Sequence, residues 1–257
     1  MTQPTPQPTR TPPAFLSRSP TLGTTYHVYV DAPNSALTPG PWPAVLLVDG
    51  DYFFDPAVAA YRALRQAGGV PPLLLVAVGY GKAFGDPENR RGRDYTPTKS
   101  VLEPSSGGAD AFLAHVTGPL WGELASRYPL RADVRAIAGH SLGGLFALAA
   151  VFHPRPFFDR ALVGAPSLWW GRRGFLRRVA KLRDTQASLP ASLFLGVGAE
   201  ETPSMLGDLA RFDRQLAERP FTGLKVTTRT IPGRNHYNVL PELFRDGLHT
   251  LFGPSDR

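Results

Sequence analysis

The sequence contains no cysteine, which excludes a disulfide framework, a thiolate nucleophile and a cysteine-ligated zinc site. Long apolar runs are also missing, since the longest, residues 71–78, is far too short to cross a bilayer. The first residues have no apolar segment of the kind found in secretory signals, so we expect a cytoplasmic protein without a membrane partner. No strand leads into a G-x-G-x-x-G or G-x-x-x-x-G-K-S/T loop, which argues against a nucleotide-binding protein.

Acidic residues are scarcer than basic ones: 21 Asp and Glu against 28 Lys and Arg give a formal charge of +7. Such an excess can attract anionic partners, or it can simply keep a protein soluble. No recognised nucleic-acid motif accompanies the charge, so we expect no nucleic-acid partner. The oligomeric state is left open.

Hydrophobic residues make up 42% of the 257 residues, which is enough to bury one sizeable core. Residues 1–20 are rich in proline and threonine without periodicity, which predicts a flexible tail, and residues 21–257 are predicted to form a single catalytic domain. In residues 24–30 small or polar residues alternate with apolar ones, which predicts a half-buried antiparallel edge strand. Further along, continuous apolar strands alternate with amphipathic helices. This pattern predicts an α/β fold, a doubly wound and mostly parallel sheet with helices on both faces.

The stretch Gly139-His140-Ser141-Leu142-Gly143 lies between an apolar strand and a helix of small residues. A serine on such a sharp turn exposes its hydroxyl only if the residues two before and two after lack side chains, as Gly139 and Gly143 do. The helix that follows directs unpaired amides toward the place where an acyl oxyanion forms. The stretch therefore predicts a nucleophile elbow for acyl transfer, with Ser141 as nucleophile.

The general base and the acid follow by elimination, because hydrolases with this elbow have serine, acid and histidine in that chain order. Five of the six histidines precede Ser141, lie within or at the end of its elbow helix, or lie in the closing helix. His236, in a turn-rich loop after the last strand, is the predicted base. The acid must follow a strand between the two, which leaves Glu201 as first choice and Glu200 as second.

The predicted oxyanion hole takes one backbone amide from Leu142 and another from the turn after the early buried strand. Gly50 and Asp51 occupy that turn, and the same residues are compatible with a simple β-turn. Candidate substrate-binding residues flank these elements. They are Tyr52, Arg93, His140, Trp169 and Trp170. For Arg93 the alternative is an ion pair with the neighbouring Asp94 that only fixes the loop.

Several motifs occur together in one order, in residues 93–98, 107–112, 138–146, 165–170, 198–201 and 235–236. They resemble esterases of the esterase D type, most of all the enterochelin and salmochelin esterases that hydrolyse catecholate siderophores. The resemblance covers about residues 22–252 and implies the α/β-hydrolase fold, Ser141 as nucleophile, His236 as base and the Asp49-Gly50 turn at the oxyanion hole. Some siderophore esterases work with a Ser-His dyad, so the resemblance leaves the need for Glu201 open.

We therefore expect a serine carboxylesterase that forms an acyl-serine intermediate without a metal or cofactor. Its partner is a small-molecule ester, of a siderophore type or another aromatic or anionic class. Two alternatives stay open. One is an acyltransferase of the same fold, and the other is a basic binding module without catalytic activity.

Overall fold

The computed structural model describes residues 8–101 and 103–254, in which eight strands form one sheet with the order β1-β2-β4-β3-β5-β6-β7-β8. Strands β3 to β8 are mutually parallel, while β2 runs antiparallel to both β1 and β4. The sheet is thus mostly parallel, as predicted. The strands are Phe15–Ser19 (β1), Thr24–Asp31 (β2), Trp42–Val48 (β3), Leu74–Gly79 (β4), Leu130–His140 (β5), Arg160–Gly164 (β6), Ser188–Gly198 (β7) and Thr222–Ile231 (β8).

Helices cover both faces of the sheet, and a separate apolar core lies between the helices and the sheet on each face. On one face α1 and α8 pack over Val45 and Leu47 of β3, and on the other α3 to α7 pack over Leu46 and Val48. All of β3 is buried, because its alternate side chains enter opposite cores. The helices are Gly50–Gln66 (α1), Arg91–Asp94 (α2), Ala109–Thr117 (α3), Pro119–Arg127 (α4), Leu142–Val151 (α5), Trp170–Thr185 (α6), Pro203–Glu218 (α7) and Leu240–Phe252 (α8).

The prediction of a flexible tail over residues 1–20 is wrong for residues 15–19, which form β1 along β2. The inward positions of this strand are Phe15, Ser17 and Ser19, and only Phe15 is apolar. Both serines are buried, and Ser17 Oγ lies 3.2 Å from Nε2 of the buried His115. Because the inward residues are mostly polar, this segment lacks the alternation of apolar and polar residues by which a strand is recognised in a sequence. Consequently β2 is an inner strand rather than the predicted edge. Residues 1–7 lie outside the described residues.

The carboxyl ends of the parallel strands meet at one edge of the sheet, where ligands of open α/β folds bind. Asp49 follows β3, Ser141 follows β5, and the loops that hold Glu201 and His236 follow β7 and β8. The fold thus places the predicted nucleophile, acid and base at a single edge. In the part of the chain that the structure describes, no helix is long and apolar enough to cross a membrane.

Candidate active site

Ser141 lies on the sharp turn between β5 and α5, with φ 59° and ψ −119°. A non-glycine residue in this region is strained and persists only where its surroundings enforce it. A Cβ at Gly139 would collide with the carbonyl of Gly143, and one at Gly143 would lie 2.7 Å from a methyl of Val48. The amide of Ser141 donates to the Gly164 carbonyl at 2.9 Å, which ties the turn to β6. This is the geometry that the elbow prediction requires.

His236 contacts Glu201, with Nδ1 and Oε1 2.7 Å apart. The Glu201 side chain is buried, only 2% exposed, while that of His236 is 24% exposed. Glu200 is exposed, and its amide donates to the Arg234 carbonyl. The structure thus brings the first-choice acid, and not its neighbour, to the imidazole.

Ser141 and His236 both line one cavity of about 320 Å³. The Ser141 hydroxyl lies 3.3 Å from the hydroxyl of Ser167, and among the described residues no hydrogen bond joins it to His236. Catalytic hydrogen bonds in ligand-free structures are often long and tighten when substrate binds. The rest of the described lining is Ser167, Trp169, Glu200, Glu201, Thr202, Met205, Asn235 and Tyr237.

Ser167 is a site residue for which the sequence predicted no role. Its amide donates to the Ser141 carbonyl at 3.0 Å, and its side chain is buried beside the nucleophile. The residue lies in the Ala-Pro-Ser-Leu-Trp-Trp segment that carried part of the family resemblance. That segment follows β6, the strand next to β5, and this position was the available signal.

His140 does not line the cavity; it holds the loop of the base. Its Nε2 lies 2.9 Å from the His236 carbonyl, so it carries the proton and donates. Burial, with the neighbouring His236 adding to it, lowers the pKa of His140 to about 3, and the imidazole stays neutral. The ring also packs edge-on against Phe53. Because the ring is buried, His140 does not reach the cavity as a substrate-binding residue would. It instead positions the loop that carries His236.

The predicted oxyanion turn begins with Asp49, which adopts a left-handed conformation with φ 58° before α1 starts at Gly50. The Asp49 carboxylate lies next to the elbow, close to Gly143, and accepts two hydrogen bonds of 2.9 Å from Arg91. As first residues of helices, Gly50, Asp51 and Leu142 have no partner for their amides within their helices. These amides are therefore candidate donors for the predicted oxyanion hole, one directly after Ser141 and two after β3, the strand next to β5.

The carboxylate of Asp51 is occupied inside the fold, so only the backbone of this residue is available to the predicted oxyanion hole. It accepts hydrogen bonds from the Tyr29 hydroxyl at 2.6 Å and from the amides of Tyr80 and Gly81. These contacts fix the first turn of α1 against the end of β4. The Tyr29 hydroxyl has a raised pKa because it is buried and faces this carboxylate.

Of the other predicted substrate contacts, only Trp169 lines the cavity, where it is 45% exposed. The indole of Trp170 turns away and donates to the Thr98 carbonyl at 2.9 Å. Tyr52 stacks on Phe84 and lines a different cavity.

Arg93 is not brought to the cavity, because its guanidinium is occupied elsewhere. It donates to Asp94 at 2.7 Å, to the Leu22 carbonyl at 2.9 Å and to Thr24 at 3.0 Å. Asp94 is buried, so the pair fixes the loop, as the alternative interpretation had it. Among the described residues, no group of three or more His, Asp or Glu side chains could hold a metal ion.

Comparisons with known proteins identify the family of this chain. A family model described as "Putative esterase" matches residues 19–238. The ferri-bacillibactin esterase BesA of Bacillus subtilis is 28% identical over 90% of this chain and 86% of its own length. The apo-salmochelin esterase of Escherichia coli is 27% identical over 89% and 75%.

Solved structures show the fold. The BES protein of Bacillus cereus superposes with a TM-score of 0.82, covering 93% of this chain and 95% of that protein at 24% identity. The siderophore hydrolase EstB of Aspergillus nidulans gives a TM-score of 0.80 at 23% identity and covers 95% and 96%. The predicted α/β-hydrolase fold is thereby confirmed. The chain belongs to the family described as "Putative esterase", and it is a hydrolase.

Proposed function

We propose that the chain is a serine hydrolase that cleaves carboxylic esters, with Ser141 as nucleophile, His236 as general base and Glu201 as the acid. The observation that carries this proposal is the 2.7 Å contact between His236 Nδ1 and Glu201 Oε1 in the cavity that Ser141 lines. Because Nδ1 donates its proton to the carboxylate, Nε2 has the lone pair that a general base needs. The strained backbone of Ser141 is a second support.

The chemistry proceeds in two halves. Ser141 Oγ attacks the ester carbonyl as Nε2 of His236 takes its proton, and the carbonyl electrons move to the oxygen, which the amides of Leu142 and of the α1 start stabilise. When the carbon–oxygen bond to the alcohol breaks, Nε2 returns the proton to the alcohol. Water then repeats the sequence on the acyl-serine and releases the acid. Glu201 stabilises the imidazolium in both halves.

For the substrate we propose an ester of the siderophore type, with an aromatic acyl or alcohol group. Support comes from the names of the relatives, which act on ferri-bacillibactin and apo-salmochelin. Two exposed rings, Trp169 and Tyr237, line the cavity and offer faces for stacking. The described lining includes Glu200 but no arginine or lysine, so the proposal relies on aromatic contacts rather than on charge.

The test uses Ser141→Ala and His236→Ala, with His153→Ala as a matched histidine control at the end of α5. We expect each of the first two to lose about 10³-fold or more in kcat on p-nitrophenyl acetate and on a dihydroxybenzoyl-serine ester, since both act on the chemical path. An organophosphonate should label the wild type at Ser141. Retention of more than a tenth of kcat in either folded variant overturns the assignment.

Hydrolysis and acyl transfer are separated in the same assay by adding an alcohol acceptor. A hydrolase gives the free acid as its main product with or without the acceptor. A predominant new ester in its presence would make the chain an acyltransferase instead.

A further inference from the structure

A second cavity, of about 520 Å³, lies beside the candidate active site. It is bounded by the described N-terminal residues, by the first turns of α1 and by the start of α8. Pro8, Arg10, Tyr52, Ala59, Tyr237 and Leu240 are among its lining residues. Most of this wall is apolar, which is typical of sites for organic ligands.

One wall of this cavity is a built feature rather than a loose end. Residues 8–11, here termed the N-terminal strap, cross the beginning of α1. Thr9 donates through its amide to the Asp51 carbonyl at 2.6 Å and through its hydroxyl to the Gly50 carbonyl at 2.8 Å. The amide of Arg10 and the hydroxyl of Thr11 each donate to Asp55 at 2.7 Å. Four hydrogen bonds over three residues fix a segment whose composition predicted a flexible tail.

Tyr237 joins the two cavities, because it lines both of them. It directly follows His236, its ring lies 5.4 Å from the imidazole, and it is 43% exposed. A ligand with its carbonyl at Ser141 can therefore extend along this ring into the second cavity. Tyr52, another lining residue of the second cavity, is held in place because it stacks on Phe84 with ring centroids 4.1 Å apart.

We propose that the second cavity binds an aromatic ring of the ester substrate that lies away from the reacting carbonyl, while the ester bond itself is cleaved at Ser141. This proposal rests on the proposed function. The tyrosine rings offer flat faces on which an aromatic ring can stack, and the proline and leucine side chains add apolar surface. Arg10 adds a cation, and no side-chain hydrogen bond or ion pair occupies it among the described residues. A guanidinium pairs with oxygen substituents and stacks on ring faces.

The test compares two esters that share the dihydroxybenzoyl-serine acyl group, the one-ring methyl ester and the two-ring linear dimer of dihydroxybenzoyl-serine. The readout is the ratio of their kcat/KM values, two-ring over one-ring. Ala59→Trp fills the cavity from an exposed position of α1, and Ala217→Trp is the matched control in a cavity on α7 that shares no residue with the site. We expect Ala59→Trp to lower the ratio at least tenfold and Ala217→Trp to leave it unchanged.

A second variant reaches the same cavity without filling it. Asp55→Ala removes two hydrogen bonds of the strap, and the ratio should fall in the same direction. An unchanged ratio in both variants, or an equal fall in Ala217→Trp, overturns the proposal. Organophosphonate labelling of Ser141 checks that each variant is folded.

Failure of the proposed function gives a different result. In that case the wild type hydrolyses neither ester, and the cavity is then judged by calorimetric titration with dihydroxybenzoyl-glycine. A Kd at least tenfold weaker in Ala59→Trp than in Ala217→Trp supports the second site. Equal affinity in the two variants overturns it.

Discussion

The change from Glu201 to glutamine tests the acid of the proposed triad. Glutamine keeps the shape of the side chain but removes its charge. Its amide can also donate to Nδ1 of His236, which moves the ring proton to Nε2 and leaves no lone pair for the Ser141 proton. Both effects act on the same chemical step, so kcat is expected to fall while KM changes little.

The magnitude follows from the contact. Two unit charges 2.7 Å apart attract by about 6 kcal/mol at an effective dielectric constant of 20. The His236 side chain is 24% exposed, and water screens part of this attraction. A remaining stabilisation of about 4 kcal/mol corresponds to about 10³-fold in kcat.

The matched control is Glu200→Gln, the same chemical change one residue away on an exposed side chain. We expect it to alter kcat less than about threefold, because it breaks no contact with the imidazole. The assay is kcat on p-nitrophenyl acetate together with the rate of organophosphonate labelling at Ser141. A loss below tenfold in Glu201→Gln would mean that a Ser-His dyad suffices, and a larger loss in Glu200→Gln would move the acid to that residue.

Two further predictions concern buried polar groups. Because the folded pKa of His140 is about 3 while an unfolded histidine titrates near 6.5, stability is lost as pH falls through this window, by about 2 kcal/mol between pH 7 and 5. His140→Asn lacks this loss, and urea unfolding at both pH values measures it; equal losses in the two proteins would contradict the reasoning. Arg91→Met leaves Asp49 buried without its cation and should lower the free energy of unfolding by about 3 kcal/mol or more. The same substitution at the exposed neighbour, Arg90→Met, should lower the free energy of unfolding by less than about 0.5 kcal/mol. Similar values for the two variants would refute a stabilising role of the ion pair between Arg91 and Asp49.

The parallel sheet and the elbow could be predicted because their signals are local. Continuous apolar strands and the Gly139 and Gly143 spacing are dictated by burial and by steric contact within a few residues. The order of Ser141, Glu201 and His236 along the chain gave the rest of the proposed triad. Strand ends that meet at one edge made this a prediction of proximity as well.

Other features depend on contacts between distant segments, and the sequence carried no pattern for them. β1 is held by backbone pairing, by two inward serines and by a single inward apolar residue, Phe15, so its sequence has no strand pattern and predicted a tail. Arg93 and Trp170 are adjacent to suitable motifs, but their side chains find partners inside the fold, at Asp94 and at the Thr98 carbonyl. Adjacency to a motif does not fix side-chain direction.

The segment with Arg90, Arg91 and Arg93 provides rigidity at the site, through Arg91 and Arg93, rather than charge for the substrate. Asp49 is buried, with its side chain only 1% exposed, and both of its carboxylate oxygens are occupied by Arg91. The guanidinium also stacks over Phe84, so the ion pair fixes the turn that precedes the proposed oxyanion donors. Any preference for anionic esters must then arise from another cation near the site. On the proposed subsite that cation is Arg10, and charge selectivity should therefore depend on the N-terminal strap and not on residues 90–93.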